Sequence, residues 1–244
     1  MASTLGALRA VPERIEDRLI VALDLPEIAA ARAMAERLDG IVSFFKVGYW
    51  LMLAPGFEAF LDELLAAGKR IFLDTKMYDI GETVRQGVRR AAERGISLAT
   101  VHGDDDIIRA AVEGRRGSNL RILAITVLTS IDDAGARQLG YGRPVAELIA
   151  GRVAACTRLG CDGIIASPHD VGDIRRLPDA DKLLVVTPGV RLAGAALDDH
   201  KRAGTPSEAI AAGADYLVVG RPIVQAADPA AMAARIVADM HNAA

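Results

Sequence analysis

Cysteine is nearly absent from this chain. Two in 244 residues, Cys156 and Cys161, are too few for a disulfide framework, and they read as small core residues in a reducing compartment. Aromatic residues are scarce as well, at 4%, and neither sign of charge dominates. The 29 Lys and Arg and the 32 Asp and Glu residues are interspersed, for a formal net charge of −3. That balance speaks against a nucleic-acid groove and against a membrane-binding face. No stretch approaches the roughly 18 apolar residues that a membrane helix requires, and residues 1–17 lack the apolar core of a secretion signal. The expectation is a soluble, cytoplasmic protein. Linkers, low-complexity segments and breaks in composition are missing too, so residues 1–244 are expected to form one domain, with 1–17 as an N-terminal tail.

What is present is a large apolar fraction, 51%, laid out in a repeating order. Strand-like runs at 18–24, 42–48, 70–76, 98–102, 122–128, 162–167, 182–187 and 215–219 alternate with helical stripes such as Ile28, Ala31, Met34, Ala35 and Leu38, or Val84, Val88 and Ala91. Glycines 40, 68, 95, 160 and 213 stop these helices. Thr205-Pro206-Ser207-Glu208 reads as a capping box, and Asp228-Pro229 opens the last helix, with Met232, Ile236, Val237 and Met240 as its buried stripe. A short helix is expected between 169 and 177, a long loop over 131–143, and Pro144 in the first turn of the helix after it. Eight strand–helix units of roughly 30 residues predict a (β/α)₈ TIM barrel. An open doubly wound sheet would have a glycine-rich turn after its first strand, and Asp24-Leu25-Pro26 is not one.

Polar residues stand where these strands end: Asp24, Lys46, Asp74, Lys76, Thr129, Arg191 and Arg221. In a barrel, those ends gather at the face that carries active sites. The centre of the pattern is Asp74-Thr75-Lys76-Met77-Tyr78-Asp79-Ile80, in which the period of two puts Asp74 and Lys76 side by side on one face. Charges at the mouth of an apolar strand are either a structural ion pair or a working one. Gly189 and Gly220 allow close backbone approach, and Arg191 and Arg221 can fork onto an oxyanion after strands seven and eight, which points to a phosphorylated small molecule. Three aspartates, 104 to 106, open a helix and read as a dipole-favoured turn in preference to a metal site. His102 reads as a satisfied barrel histidine, and His169 and His241 as loop and tail residues.

Taken together, Leu23-Asp24, Lys46-Val47-Gly48, the stretch 74–80, Leu128-Thr129-Ser130, Thr187-Pro188-Gly189-Val190-Arg191 and Val219-Gly220-Arg221-Pro222 resemble the orotidine 5′-phosphate decarboxylase family, in the family's order and over nearly the whole chain. The resemblance implies decarboxylation of orotidine 5′-monophosphate to UMP, the last step of de novo pyrimidine synthesis, with no metal and no organic cofactor. It implies a homodimer with active sites near the subunit interface. By this likeness Lys76 donates the proton to C6, Asp74 faces the substrate carboxylate, and Lys46 holds the charge network and a ribose hydroxyl. Asp79 and Thr83 reach the partner's site, Asp24 binds the nucleoside, Thr129 the pyrimidine, and Gly220, Arg191 and Arg221 the phosphate. One position departs from the pattern. His200 stands where relatives carry a glutamine that closes over phosphate and pyrimidine, and it is kept as a possible ligand contact.

Two other readings compete. Metal-dependent decarboxylases or aldolases of the same superfamily share the Asp-x-Lys-x-x-Asp stretch, but they look to carry a glutamate ligand where Lys46 stands, and an ammonium cannot ligate Mg²⁺. A barrel without catalytic power that binds a phosphometabolite is the other; the intact Asp74, Lys76 and Asp79 set argues against it.

Overall fold

The computed structural model describes residues 9–194 and 204–243. Eight parallel strands close into one barrel in sequence order, and the last strand pairs with the first. In chain order the elements are β1 (Leu19–Ala22), α1 (Ile28–Arg37), β2 (Phe44–Gly48), α2 (Tyr49–Met52), α3 (Phe57–Ala66), β3 (Arg70–Met77), α4 (Gly81–Glu93), β4 (Leu98–His102), α5 (Asp105–Gly114) and β5 (Arg121–Ile125). They continue as α6 (Asp133–Gln138), α7 (Val145–Leu159), β6 (Gly163–Ile165), α8 (Pro168–Arg175), β7 (Leu184–Pro188), α9 (Pro206–Ala211), β8 (Tyr216–Val219), α10 (Arg221–Val224) and α11 (Pro229–His241).

Strand parity sorts the core into two layers. Ile20, Phe44, Phe72, Leu98, Leu123, Leu184 and Tyr216 fill the inside of the barrel, whereas their neighbours Leu19, Phe45, Ile71 and Ala99 face outward into the larger layer beneath the helices. The next inward positions toward the C-terminal rim are two residues on: Ala22 then Asp24, Lys46, Asp74 and Thr100. The barrel filling is therefore apolar at its floor and charged at its mouth.

The helices follow the predicted stripes. Val84, Val88 and Ala91 are the buried face of α4, and the capping box at Thr205 and Glu208 is formed with both of its hydrogen bonds. Three short helices were not foreseen. α2 and α10 have four residues each, too few for a period to show, and α6 lies inside the expected loop over 131–143 with only Ala136 buried. Pro144 caps α7 from outside its first turn. His169 lies in α8 and His241 is the last residue of α11, so neither is a loop or tail residue. Ala233 is buried on α11 where the predicted stripe placed Met232 and Val237, which are only partly covered.

The two cysteines meet at the end of α7. Gly160 takes a left-handed conformation at φ 74°, the Cys161 N–H donates to the Cys156 carbonyl at 3.0 Å, and the Gly160 N–H donates to Thr157 at 3.4 Å. This is a Schellman cap, whose usual apolar contact joins these two positions. Hydrogen bonding to the Cys161 thiol, with burial, pushes the Cys156 thiol well above its ordinary range, which leaves it inert. Gly163 on β6 answers a different need, since a Cβ there would lie 2.5 Å from the Leu184 carbonyl oxygen and 2.8 Å from Leu123 Cδ2. Gly163→Ala is expected to cost about 1–3 kcal/mol through overpacking, read from the urea midpoint at unchanged slope.

Part of the predicted tail closes the floor of the barrel. Val11 packs against the inner layer, Arg121 donates to the Ala10 carbonyl at 2.8 Å, and Arg9 reaches the fully buried Asp215 at 2.8 Å. Asp215 also accepts from Arg175 at 2.7 Å and from the Val185 amide at 2.8 Å.

Candidate active site

A cavity of about 680 Å³ opens at the C-terminal end of the strands. Asp24, Lys46, Asp74 and Lys76 line one side of it, the first just after β1, the second within β2 and the last two on β3. Thr129, Arg191, Gly220 and Arg221 line the other, after β5, β7 and β8. The structure thus brings together eight residues that are scattered over about 200 positions of sequence.

The charged side is a row of alternating sign. Lys46 Nζ lies 2.9 and 3.0 Å from the two Asp24 oxygens and 3.6 Å from Asp74 Oδ2, and Lys76 Nζ lies 2.8 Å from Asp74 Oδ1. Lys46 is buried, Asp74 and Lys76 are partly covered, and Asp24 is the outermost member. Burial works to raise the Asp74 carboxyl, but the charges of Lys46 and Lys76, with hydrogen bonds from Lys76 and Thr100, outweigh it and hold the group below the usual carboxylate range. Asp74 is therefore ionised at neutral pH, and its contribution to stability persists above the ordinary carboxylate pKa and fades only as pH falls through its own lowered value.

Asp74 and Lys76 are neighbours, as the period of two predicts, but by a different route. Leu73 stands opposite Ala99 and Met77 opposite Val101, so four steps along β3 meet two along β4. The residues between bulge out of the ladder, and Lys76 has a positive φ of 46°. Thr100, fully buried on β4, accepts from the Lys76 amide at 2.9 Å and donates to Asp74 Oδ1 at 2.9 Å. The Tyr49 hydroxyl donates to the Thr75 carbonyl from the other side. Sequence reasoning missed both Thr100 and Tyr49. Thr100 had a signal, since it lies two residues after the inward Leu98 and so falls on the same level as Lys46 and Asp74.

Asp79 and Thr83 lie outside this cavity. Both are exposed, one in the turn after β3 and one in the first turn of α4, and Asp79 accepts a hydrogen bond from the Ile80 amide at 2.7 Å. Tyr78, Ile80, Tyr49, Trp50 and Leu53 are exposed apolar residues on the elements that carry or flank them. His200 lies outside the described residues. The three aspartates pair separately: Asp104 with His102 Nδ1 at 2.9 Å, Asp105 with Arg158 at 2.7 Å, and Asp106 with Arg109 at 2.6 Å. His102 is thus satisfied, and its ring stacks on Tyr78 at 4.4 Å. Among the described residues, no three His, Cys, Asp or Glu side chains converge in a way that would hold a metal ion. No helix among them is long and apolar enough to cross a membrane.

Comparison with known proteins gives the family of the chain. The orotidine 5′-phosphate decarboxylase of Methylobacterium radiotolerans is 52% identical over 224 residues, 92% of this chain and 96% of its own. That of Ruegeria pomeroyi is 50% identical over 228 residues, covering 92% of this chain and 94% of its own. The crystal structure of the Lactobacillus acidophilus orotidine 5′-phosphate decarboxylase superposes with a TM-score of 0.79 at 33% identity, over 92% of this chain and 99% of that one. The model of one family, orotidine 5′-phosphate decarboxylase / HUMPS, matches residues 17–236, a span that takes in every strand of the barrel and every residue of the charged row. It is to that family that this chain belongs.

Proposed function

We propose that this protein decarboxylates orotidine 5′-monophosphate to UMP, the last step of de novo pyrimidine synthesis, in the cytoplasm and without a metal or organic cofactor. The observation that carries the reading is the row Asp24, Lys46, Asp74 and Lys76 facing two arginines across one cavity. Loss of CO₂ leaves a pair of electrons in an sp² orbital at C6 that the pyrimidine ring delocalises poorly. The site must meet that localised charge with a fixed cation, and the Lys76 ammonium, held by Asp74, supplies both the field and then the proton. Asp74 faces the departing carboxylate, Lys46 anchors the row and a ribose hydroxyl, and Asp24 takes the nucleoside. Thr129 meets the pyrimidine, and Gly220, Arg191 and Arg221 take the phosphate. His200 is assigned to the ligand as well.

Exposure of Asp79 and Thr83, with Tyr78 and Ile80 exposed on either side of Asp79 in the chain, supports a homodimer in which these two residues complete the partner's site. Arg221→Ala is expected to lower kcat/KM by roughly 10–100-fold, the worth of a charged hydrogen bond. Turnover of orotidine, which has no phosphate, should be indifferent to the substitution; an equal loss on both substrates would remove the arginine from the phosphate role.

The test of the function is the fall in ultraviolet absorbance of orotidine 5′-monophosphate on addition of the protein in EDTA. Loss of the signal with release of CO₂ supports both substrate and metal independence. No change in EDTA, with Mg²⁺-dependent turnover of a sugar phosphate, would place the chain on the metal-dependent branch instead.

A further inference from the structure

We infer that Thr100 is a positioning residue of this site: its hydroxyl ties the Asp74 carboxylate to the Lys76 backbone and so fixes where the Lys76 ammonium stands. The inference rests on the decarboxylase reading for its kinetic consequence, and on geometry alone for the structural one.

A threonine hydroxyl has one proton and two lone pairs. Asp74 is ionised and has no proton to give, so the hydroxyl proton goes to Asp74 Oδ1, and a lone pair is left for the Lys76 amide. Thr100 is fully buried, and both partners lie at 2.9 Å. A non-glycine residue at φ 46° is held against an intrinsic preference of about 1–2 kcal/mol. In a regular ladder the neighbouring strand's backbone would hold it. Here β3 bulges away from β4, and a β4 side chain spans the gap.

The carboxylate has a matching need. Lys46 and Lys76 attract Asp74 from two sides, but ammonium groups on flexible stems set a distance more than a direction. The hydroxyl, fixed to a strand, sets the direction. Thr100 itself does not line the cavity, so it acts through its two partners without touching substrate. A displacement of the reacting group by about 1 Å can cost on the order of 100-fold in rate.

The experiment compares Thr100→Val, which keeps the shape and removes the hydroxyl, with Thr100→Ser, which keeps the hydroxyl. The valine variant should lose ~30–100-fold in kcat with KM and the UMP inhibition constant within about threefold, because the residues proposed for pyrimidine and phosphate follow β5, β7 and β8, away from the Thr100 contacts. The serine variant should recover to within about threefold of the parent. Hydrogen exchange at the Lys76 amide should quicken at least ~10-fold in the valine variant and stay slow in the serine one. If the valine variant does not fold, Thr100→Ala replaces it with the same expectations. A hydroxyl-free variant that folds and keeps kcat overturns the inference. So does a serine variant as impaired as the valine one, which would mean that only the methyl packing matters. A parent protein inactive on orotidine 5′-monophosphate overturns the functional reading, and exchange at Lys76 then decides the role of the hydroxyl separately.

Discussion

Lys76→Ala should bring decarboxylation down by at least ~10⁴-fold while UMP binding changes by no more than about tenfold. Two effects vanish together. A positioned general acid is worth about 10²–10⁴-fold, and a fixed charge at a developing anion about 10²–10³-fold; both depend on one ammonium, so they are lost as a unit. UMP has no carboxylate and carries a proton at C6, so it makes little use of that ammonium. On the assignments proposed above, its affinity comes from the phosphate contacts of Arg191, Gly220 and Arg221 across the cavity and from Asp24 and Lys46, all of which the substitution leaves in place. The fold should tolerate the change, because Lys76 is 40% exposed at its side chain and Asp74 keeps Lys46 and Thr100 as partners. Lys76→Arg is the sharper control. It keeps a positive charge but presents a far weaker acid on a broader group, and it should not restore turnover. Single-turnover kinetics, with calorimetric titration of UMP into the same preparation, separates the two quantities. An alanine variant within tenfold of the parent would strip Lys76 of its role.

The barrel was legible because its signals are local and repeated. Each strand carries a short apolar run, each of the longer helices has one apolar stripe, and glycine or proline marks many of the joins, so the order of strands follows from counting. Much of the charged row was legible for the same reason: Asp24 follows the first apolar run, Lys46 stands near the end of the second, and Asp74 and Lys76 lie two apart. What could not be read was how Asp74 and Lys76 come to be neighbours. A bulge is a relation between two strands, and only the pairing of Leu73 with Ala99 and of Met77 with Val101 reveals it. Thr100 escaped notice because a threonine in a β-branched run is an ordinary strand former, and its second role depends on which residue lies across from it. Asp215 was read only as the first residue of a strand. That its carboxylate would be fully buried depends on Arg9 and Arg175, which are 206 and 40 positions away.

That buried carboxylate is where the largest loss of stability is expected. Asp215→Ala should destabilise the fold by about 3–5 kcal/mol, the usual consequence of removing one member of a buried ion pair. Its Oδ1 faces Arg9 and its Oδ2 takes both Arg175 and the Val185 amide. Without it, the Val185 N–H loses an acceptor in the core. The Arg175 guanidinium, held in place by the carbonyls of Gly213, Ala180 and Leu183, is left without a counter-charge. Burial already weighs against the Arg175 charge, and Asp215 is the main group opposing that cost. For a chain of this length the loss corresponds to roughly 10 °C in melting temperature. Arg9→Ala should cost no more than about 1 kcal/mol, since its side chain is a third exposed and the Arg175 pair survives. Neither change should alter KM in the protein that remains folded, because the Asp215 cluster closes the floor of the barrel and the cavity opens at its mouth. Urea unfolding at constant slope measures the loss, and the same samples give KM. An Asp215→Ala protein as stable as the parent would mean that the two arginines find water or other acceptors at the floor, and that the N-terminal segment does not seal it.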